Sequence, residues 1–255
     1  MRTDVDAPAT VRRRAGLLLR DALVVTLFAL TTALVTGAVV GDGRPVAVPA
    51  DLTVPLRPVG PVTAAWAHLA ALRVLPARVH AGGYDRGCGR GHGCVFGPAW
   101  SDDVDVAGGH NGVDTRTDVI RRDRGVRAGL LDPYSGRPTQ TIQIDHLVPL
   151  AAAWDLGARD WPPRERADFA NDPRELLSVS AAENQLKSDE TPGDWADCLR
   201  SPGPCLRARP VVWLPRAGIR CALAQRYVLV CRVYALPVTA DDHRSLTDML
   251  TTCSE

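Results

Sequence analysis

A short strand that has to end at a proline constrains the fold of this chain more than any other feature of its sequence. The run TIQIDH, residues 141–146, alternates polar and apolar side chains, which is the pattern of a half-buried β-strand. Pro149 has no backbone N–H to donate to a ladder, so strand pairing should fail by about residue 148. We therefore expect Asp145 and His146 to lie where the strand ends, so that both side chains can turn toward one site.

A second strand and a capped helix follow further along the chain. The run ELLSV, residues 175–179, predicts a short strand, and Ser180 begins the pattern of a capping box with Glu183. The helix that this box opens carries Asn184 and, one turn later on the same face, Lys187. The predicted order is therefore strand, long connection, strand and capped helix.

These residues supply the groups that a phosphodiester hydrolase needs. Asp145 offers a carboxylate and Asn184 a carboxamide oxygen, and oxygen ligands are those that a hard divalent cation prefers. His146 can take a proton from water near neutral pH, and Lys187 can neutralise charge on a phosphate. The set thus indicates metal-assisted hydrolysis of a phosphodiester.

Each residue also has an ordinary structural interpretation. An Asp–His pair at a strand end usually caps a turn and makes a surface hydrogen bond, Asn184 alone is a common helix residue, and Lys187 alone is a solvated charge. Their joint order favours a site. Lys187 is also the only lysine among 30 basic residues. The formal net charge of +1 excludes a global basic field, so any phosphate contact must be local.

The N-terminal segment, residues 1–40, has the pattern of a targeting sequence. Arginines 12–14 and Arg20 precede an uncharged apolar run from Ala22 to Val40, which fits an uncleaved signal anchor better than a cleaved signal peptide. A proline-rich linker follows at residues 41–61, and the domain proper is expected at residues 62–255. We expect export to the outside of the cell or to the outer face of the plasma membrane, with the N-terminal segment contacting the membrane.

The cysteines agree with an oxidising compartment. The close pairs Cys88/Cys94 and Cys198/Cys205 predict two small disulfide loops, and Cys221 with Cys253 could join the last two helices, which leaves Cys231 as a buried thiol. Zinc binding is the competing interpretation, but the spacings do not match a finger.

The spacing of apolar residues predicts further helices, and the residues next to three tryptophans indicate that these pack in the core. Helices are expected at about residues 62–75, 114–127, 217–234 and 240–252. Trp154, Trp161 and Trp195 lie beside Pro or Gly and are expected to pack in the core. The stretch DDVDVAGGHNG lacks the spacing of an EF-hand and is expected to be a solvated loop.

Five longer strings resemble the HNH endonuclease family of the ββα-metal kind, in particular secreted bacterial proteins related to the C-terminal domain of the GmrSD restriction endonuclease. The strings are DTRTDVIRRD (114–123), GLLDPYSG (129–136), IDHLVPLAAAWDLGARDW (144–161), RADFANDPRELLSVSAAENQLKSDETPGDW (166–195) and RCALAQRYVLVCRVYALPVT (220–239). The resemblance implies an α+β fold with a ββα-metal core, extra N- and C-terminal helices and stabilising disulfides.

The resemblance also implies roles for individual residues. Asp145 and Asn184 would bind Mg²⁺ or another divalent cation such as Mn²⁺, His146 would be the general base, and Lys187 would contact the phosphate. The substrate would be a nucleic acid, DNA ahead of RNA, and no protein partner is predicted.

One position departs from the family pattern. Where the family usually has an Asn that orients the catalytic His, this chain has Glu175, which could hold the imidazole by accepting from its N–H, or could repel the phosphate. Arg116 is a candidate substrate contact, although an ion pair with Asp114 explains it equally well.

Two rival functions remain open at this point. A non-catalytic surface-binding protein on an HNH scaffold is favoured by Glu175 and by the near-neutral charge. A cell-wall hydrolase would use acidic residues such as Asp102, Asp103 and Asp105.

Overall fold

The structure is a computed structural model that describes residues 56–124, 131–201 and 213–253, together with residues 203, 205 and 207. All of them belong to one compact unit, Ala47–Glu255. The predicted N-terminal segment, and the linker up to residue 55, lie outside the described residues. Within the described residues, no helix is both long enough and apolar enough to cross a bilayer.

The described part is an α+β fold with two small sheets. The helices are α1 (Val62–Ala70), α2 (Thr115–Arg124), α3 (Leu150–Leu156), α4 (Pro163–Asn171), α5 (Ala181–Lys187), α6 (Ala196–Arg200), α7 (Arg220–Val233) and α8 (Ala240–Leu250). The strands are β1 (Val74–Leu75), β2 (Ile142–His146), β3 (Leu176–Ser180) and β4 (Val238–Thr239). Short 3-10 helices span Ala158–Asp160, Pro192–Trp195 and Ala217–Ile219.

The pair β2/β3 with the helix α5 organises the candidate site. The two strands are antiparallel, with Ile142 opposite Ser180 and His146 opposite Leu176. Helix α5 begins directly after β3, so the order strand, connection, strand and helix is as predicted from the sequence. Strands β1 and β4 form a separate parallel pair.

Only one of the two hydrogen bonds of the predicted capping box forms at the N-terminus of α5. The Ser180 hydroxyl accepts from the Glu183 backbone N–H at 3.1 Å, as predicted. The reciprocal bond is replaced, because the Ser180 N–H donates to Asp132 and the Glu183 carboxylate accepts from Trp213 Nε1. The cap is therefore tied to two other parts of the chain.

The C-terminal helices supply much of the core. Tyr227 and Val230 of α7 are buried, and α8 begins with a complete capping box between Thr239 and Asp242. Helix α1 ends at Ala70, earlier than expected, because the chain continues into the strand pairing of β1 with β4. Trp154 and Trp195 are buried in the core and Trp161 packs against it, as predicted.

The predicted cysteine pairing is confirmed. The disulfides are Cys88–Cys94, Cys198–Cys205 and Cys221–Cys253. Cys231 remains a free thiol inside the core. The third bond joins α7 to the residue that follows α8, since Cys253 lies just beyond Leu250.

Candidate active site

The two neighbouring residues Asp145 and His146 do not face one site. Strand β2 ends at His146, as expected, but Asp145 and His146 are both still paired in the ladder, with Leu177 and Leu176. The next bond of the ladder is donated by the Leu147 N–H to the Glu175 carbonyl at 2.9 Å. Adjacent residues of a paired strand point to opposite faces, so the two side chains have separate partners.

The face of β2 toward α5 carries a buried ion pair. Lys187 Nζ lies 3.0 Å from Asp145 Oδ1 and 2.8 Å from the His146 carbonyl oxygen. The Tyr134 hydroxyl donates to Asp145 Oδ2. Asp145 is 4% exposed and Lys187 2%, so Lys187 is not the solvated charge that a lone surface lysine would be. Burial raises the pKa of Asp145, against the opposing effects of Lys187 and Tyr134.

Asn184 lies on the same face, one helical turn from Lys187. Its amide nitrogen donates to Gln143 Oε1 at 2.7 Å. Gln143 and Asp145 are two residues apart on β2 and therefore share a face. The face thus holds two side-by-side contacts between β2 and α5, one neutral and one charged.

The opposite face of β2 holds the His146 imidazole in one orientation. Nε2 lies 3.0 Å from the Ala170 carbonyl oxygen, which can only accept, so Nε2 carries the proton of the neutral ring. Nδ1 then has the lone pair, and Arg86 Nη1 donates to it at 3.5 Å. The Trp100 ring stacks on the imidazole, with centroids 5.9 Å apart.

The environment of His146 keeps the ring neutral. Burial is the largest cause that lowers its pKa well below the ordinary value, and the positive charge of Arg86 acts in the same direction. The imidazole is therefore in its proton-accepting form at neutral pH, with the accepting atom already determined.

Glu175 does not hold the imidazole, which corrects one of the two roles considered for it. Its Oε1 accepts from the Val148 N–H at 2.9 Å, and its backbone carbonyl accepts from Leu147. The side chain is fully buried, Oε2 has no hydrogen-bond partner within the described part of the chain, and burial raises the pKa of Glu175 well above its ordinary value. Glu175 thus holds the backbone of Leu147 and Val148, just after His146, by two hydrogen bonds.

Arg116 supports the start of β2. Its Nη2 donates to the Ile142 carbonyl at 3.0 Å. Asp114, the ion-pair partner considered for it, instead accepts from the backbone and hydroxyl of Thr117 at the start of α2. A role of Arg116 in substrate binding stays a prediction.

Sequence patterns did not single out four residues around the site. Tyr134 was noted only within a turn, and Arg86, Trp100 and Asn171 lie in stretches without strand or helix periodicity or at a helix end. Their contacts with the site join residues far apart in the chain. No sequence signal marks Arg86, which lies two residues before the predicted Cys88–Cys94 loop.

Comparison with known proteins places this geometry in a family. The family described as GmrSD restriction endonucleases, C-terminal domain, matches residues 108–248, which is more than half of the chain. A protein of Arthroderma benhamiae named an uncharacterized secreted protein is 32% identical over 155 residues, covering 55% of this chain and 68% of that protein. No solved structure matches the chain. The strands β2 and β3, the helix α5 and the residues at their junction all lie inside the matched segment, and the chain belongs to the family of GmrSD restriction endonuclease C-terminal domains.

Proposed function

We propose that this protein is an exported HNH-type endonuclease that hydrolyses phosphodiester bonds of nucleic acid, DNA ahead of RNA. The β2/β3/α5 unit would be its ββα core. The observation that carries the proposal is the His146 imidazole, whose Nε2–H is held by the Ala170 carbonyl, so that the lone pair able to take a proton is on Nδ1, where Arg86 Nη1 donates to it. Membership of a nuclease-related family supports the same reaction.

His146 would act as the general base. A water that takes the place of Arg86 Nη1 at Nδ1 would lose its proton to the imidazole as its oxygen attacks phosphorus. The bond from phosphorus to the leaving oxygen of the nucleic-acid strand would break on the opposite side. The bond from Nε2–H to the Ala170 carbonyl would stabilise the imidazolium that forms. A positioned base contributes about 10²- to 10⁴-fold to the rate.

The residues assigned to the metal do not fit a divalent cation as they are arranged here. The carboxylate of Asp145 is buried, with one oxygen on the Lys187 ammonium and the other on the Tyr134 hydroxyl. The described residues contain no group of three or more His, Cys, Asp or Glu side chains that could hold a metal. The Asp145 carboxylate, as it is placed here, binds the Lys187 ammonium group and not a metal ion. No step of the reaction above therefore involves a metal.

Mg²⁺ or Mn²⁺ binding by Asp145 and Asn184 stays a proposal that rests on the family resemblance. It requires the Lys187 ammonium to leave Asp145, and a phosphate contact by Lys187 requires the same movement. Calorimetric titration of the full-length protein with Mn²⁺ tests it. The proposal predicts binding that Asp145→Ala abolishes, and equal binding by the variant would exclude Asp145 as a ligand.

Export is proposed from three observations. Three disulfides pair six of the seven cysteines, which is typical of an oxidising compartment. The relative from Arthroderma benhamiae is named a secreted protein. The basic and apolar pattern of residues 1–40 supplies a targeting signal, and attachment to the membrane through it is part of the proposal.

A cleavage assay tests the proposed reaction. The full-length protein is incubated with plasmid DNA, linear DNA and RNA, with Mg²⁺, with Mn²⁺ or with EDTA. We expect phosphodiester cleavage that His146→Ala removes and that His80→Ala retains, because the imidazole of His80 is exposed and its partner is Asp155 of α3. A well-folded protein that cleaves none of these substrates under any condition would contradict the proposal and favour a binding protein on the same scaffold.

A further inference from the structure

A small open pocket adjoins the His146 side of β2. It is lined by Arg86, by the segment Phe96–Trp100 and by the end of α4 at Ala170 and Asn171. Three of these residues also contact the imidazole: Arg86 near Nδ1, Trp100 by stacking, and Ala170 through its carbonyl. The pocket is therefore next to the group proposed as the base.

Arg86 brings a positive charge to this pocket without a counter-ion. Its side chain is half-buried, and it forms no ion pair with any carboxylate of the described residues. Its guanidinium lies over the Trp100 ring, 5.6 Å from the centroid. Burial lowers the pKa of Arg86, as expected for a cation that has lost water and gained no anion.

Asn171 adds an unsatisfied acceptor to the pocket wall. Its amide nitrogen donates to the Ala167 carbonyl at 2.9 Å. Its Oδ1 is buried and has no partner in the described part of the chain, and the residue is only 2% exposed. A buried carboxamide oxygen needs a donor, and water is the simplest one.

The size of the pocket limits what it can take. Only about 10 Å³ is open to the centre of a water molecule, which is room for one water or one oxygen atom. A nucleobase does not fit, whereas a phosphate at the mouth could place one oxygen against Arg86. Recognition here would therefore depend on the backbone of the nucleic acid and not on its sequence.

The loop that carries Arg86 is held in place independently of the substrate. The Asp85 carboxylate accepts from the backbone N–H groups of Gly87 and Gly93, at 3.0 and 2.8 Å. The disulfide Cys88–Cys94 closes the loop that begins two residues after Arg86. A guanidinium fixed before binding loses less conformational entropy when it takes a ligand.

We propose that this pocket is a phosphate-binding subsite, in which Arg86 binds a non-bridging oxygen of the nucleic-acid backbone and Asn171 Oδ1 orders a water beside it. The inference rests on the proposed function and names the substrate contact of that same site. Arg86 lies outside residues 108–248, so the family match does not cover it.

The test measures binding without cleavage. A fluorescent single-stranded oligonucleotide is titrated against the full-length protein in EDTA, at several salt concentrations, by anisotropy. The variants are Arg86→Met, Arg86→Lys and the matched control Arg90→Met, whose side chain is exposed in the adjoining disulfide loop. A second probe of equal length carries an uncharged methylphosphonate backbone. Thermal melting shows that each variant is folded.

Arg86→Met should weaken binding of the charged probe by about ten- to hundredfold, as expected for loss of a charge-assisted hydrogen bond. The slope of log K against log salt should fall by about 0.7, the value for one single-strand phosphate contact. Arg86→Lys should restore part of the affinity, Arg90→Met should resemble the wild type, and the uncharged probe should not distinguish the proteins.

Equal binding of the charged probe by the wild type and Arg86→Met would overturn the inference, as would an equal loss with the uncharged probe. The outcome is separate from that of the proposed function. Arg86-dependent binding by a protein that cleaves nothing would support the subsite and contradict the nuclease, whereas cleavage unaffected by Arg86→Met would contradict the subsite alone.

Discussion

Asp145 and His146 are adjacent in the chain, yet their side chains belong to two different polar clusters. Asp145 is paired with Lys187 on the face of β2 toward α5. His146 lies on the opposite face, against Ala170, Arg86 and Trp100. Lys187 joins the two clusters, because its ammonium donates both to the Asp145 carboxylate and to the His146 carbonyl. A change in the buried pair can therefore reach the base through the backbone.

The Asp145–Lys187 pair should show strong coupling in a double-mutant cycle. Lys187→Met leaves a buried carboxylate without its counter-ion and should cost about 3–5 kcal/mol in the free energy of unfolding. The double variant Asp145→Asn with Lys187→Met removes both charges and should recover part of that loss. Urea unfolding with the disulfides intact measures all four proteins, and additive single effects would show that the two residues do not interact.

The unit formed by β2, β3 and α5 depends on contacts that join distant parts of the chain. The strand pattern of β2, the position of β3 and the Ser180 cap were predicted correctly, because they follow from local periodicity and capping. The opposite orientation of Asp145 and His146 was not predicted. It follows from the pairing of Asp145 with Leu177 and of His146 with Leu176, because residues that are paired in a ladder keep the alternating orientation of the strand, and local sequence does not reveal these partners.

Glu175 should give the protein a pH-dependent stability. Burial holds the pKa of Glu175 well above its ordinary value in the folded state, so its contribution is fully present below an unfolded pKa of about 4.3 and is lost as the pH rises through the folded pKa. Glu175→Gln removes this titration and keeps an acceptor for the Val148 N–H. The stability of the variant relative to the wild type should therefore increase with pH above about 4.3.

Urea unfolding at a series of pH values measures this difference. Glu175→Ala is the matched comparison, because it removes the acceptor as well, and an unsatisfied buried N–H costs about 1–3 kcal/mol. A stability difference between Glu175→Gln and the wild type that does not change with pH would contradict a raised pKa for Glu175.

Three disulfides and a core to which α7 and α8 contribute hold the described unit together. The cysteine pairing was predicted correctly from sequence spacing and the expected positions of the helices. Arg86 and Asn171 were missed as parts of the site, because only the folded chain brings the cysteine loop and the end of α4 to His146.

The disulfide Cys221–Cys253 should contribute more stability than Cys88–Cys94. It closes a loop with a sequence separation of 32, against 6 for the other bond. Loop-closure entropy gives about 3–4 kcal/mol for the longer loop and about 2 kcal/mol for the shorter one. Replacing both cysteines of each pair by serine, followed by urea unfolding, compares them, and a larger loss from the shorter loop would contradict this order.

Chemical rescue of His146→Ala shows whether the His146 imidazole is the general base. We expect the wild-type full-length protein to cleave nucleic acid, His146→Ala to lower the rate by about 10²- to 10⁴-fold while remaining folded, and added imidazole to restore part of the lost rate. A folded His146→Ala variant that cleaves at the wild-type rate would contradict the role of His146 as the base.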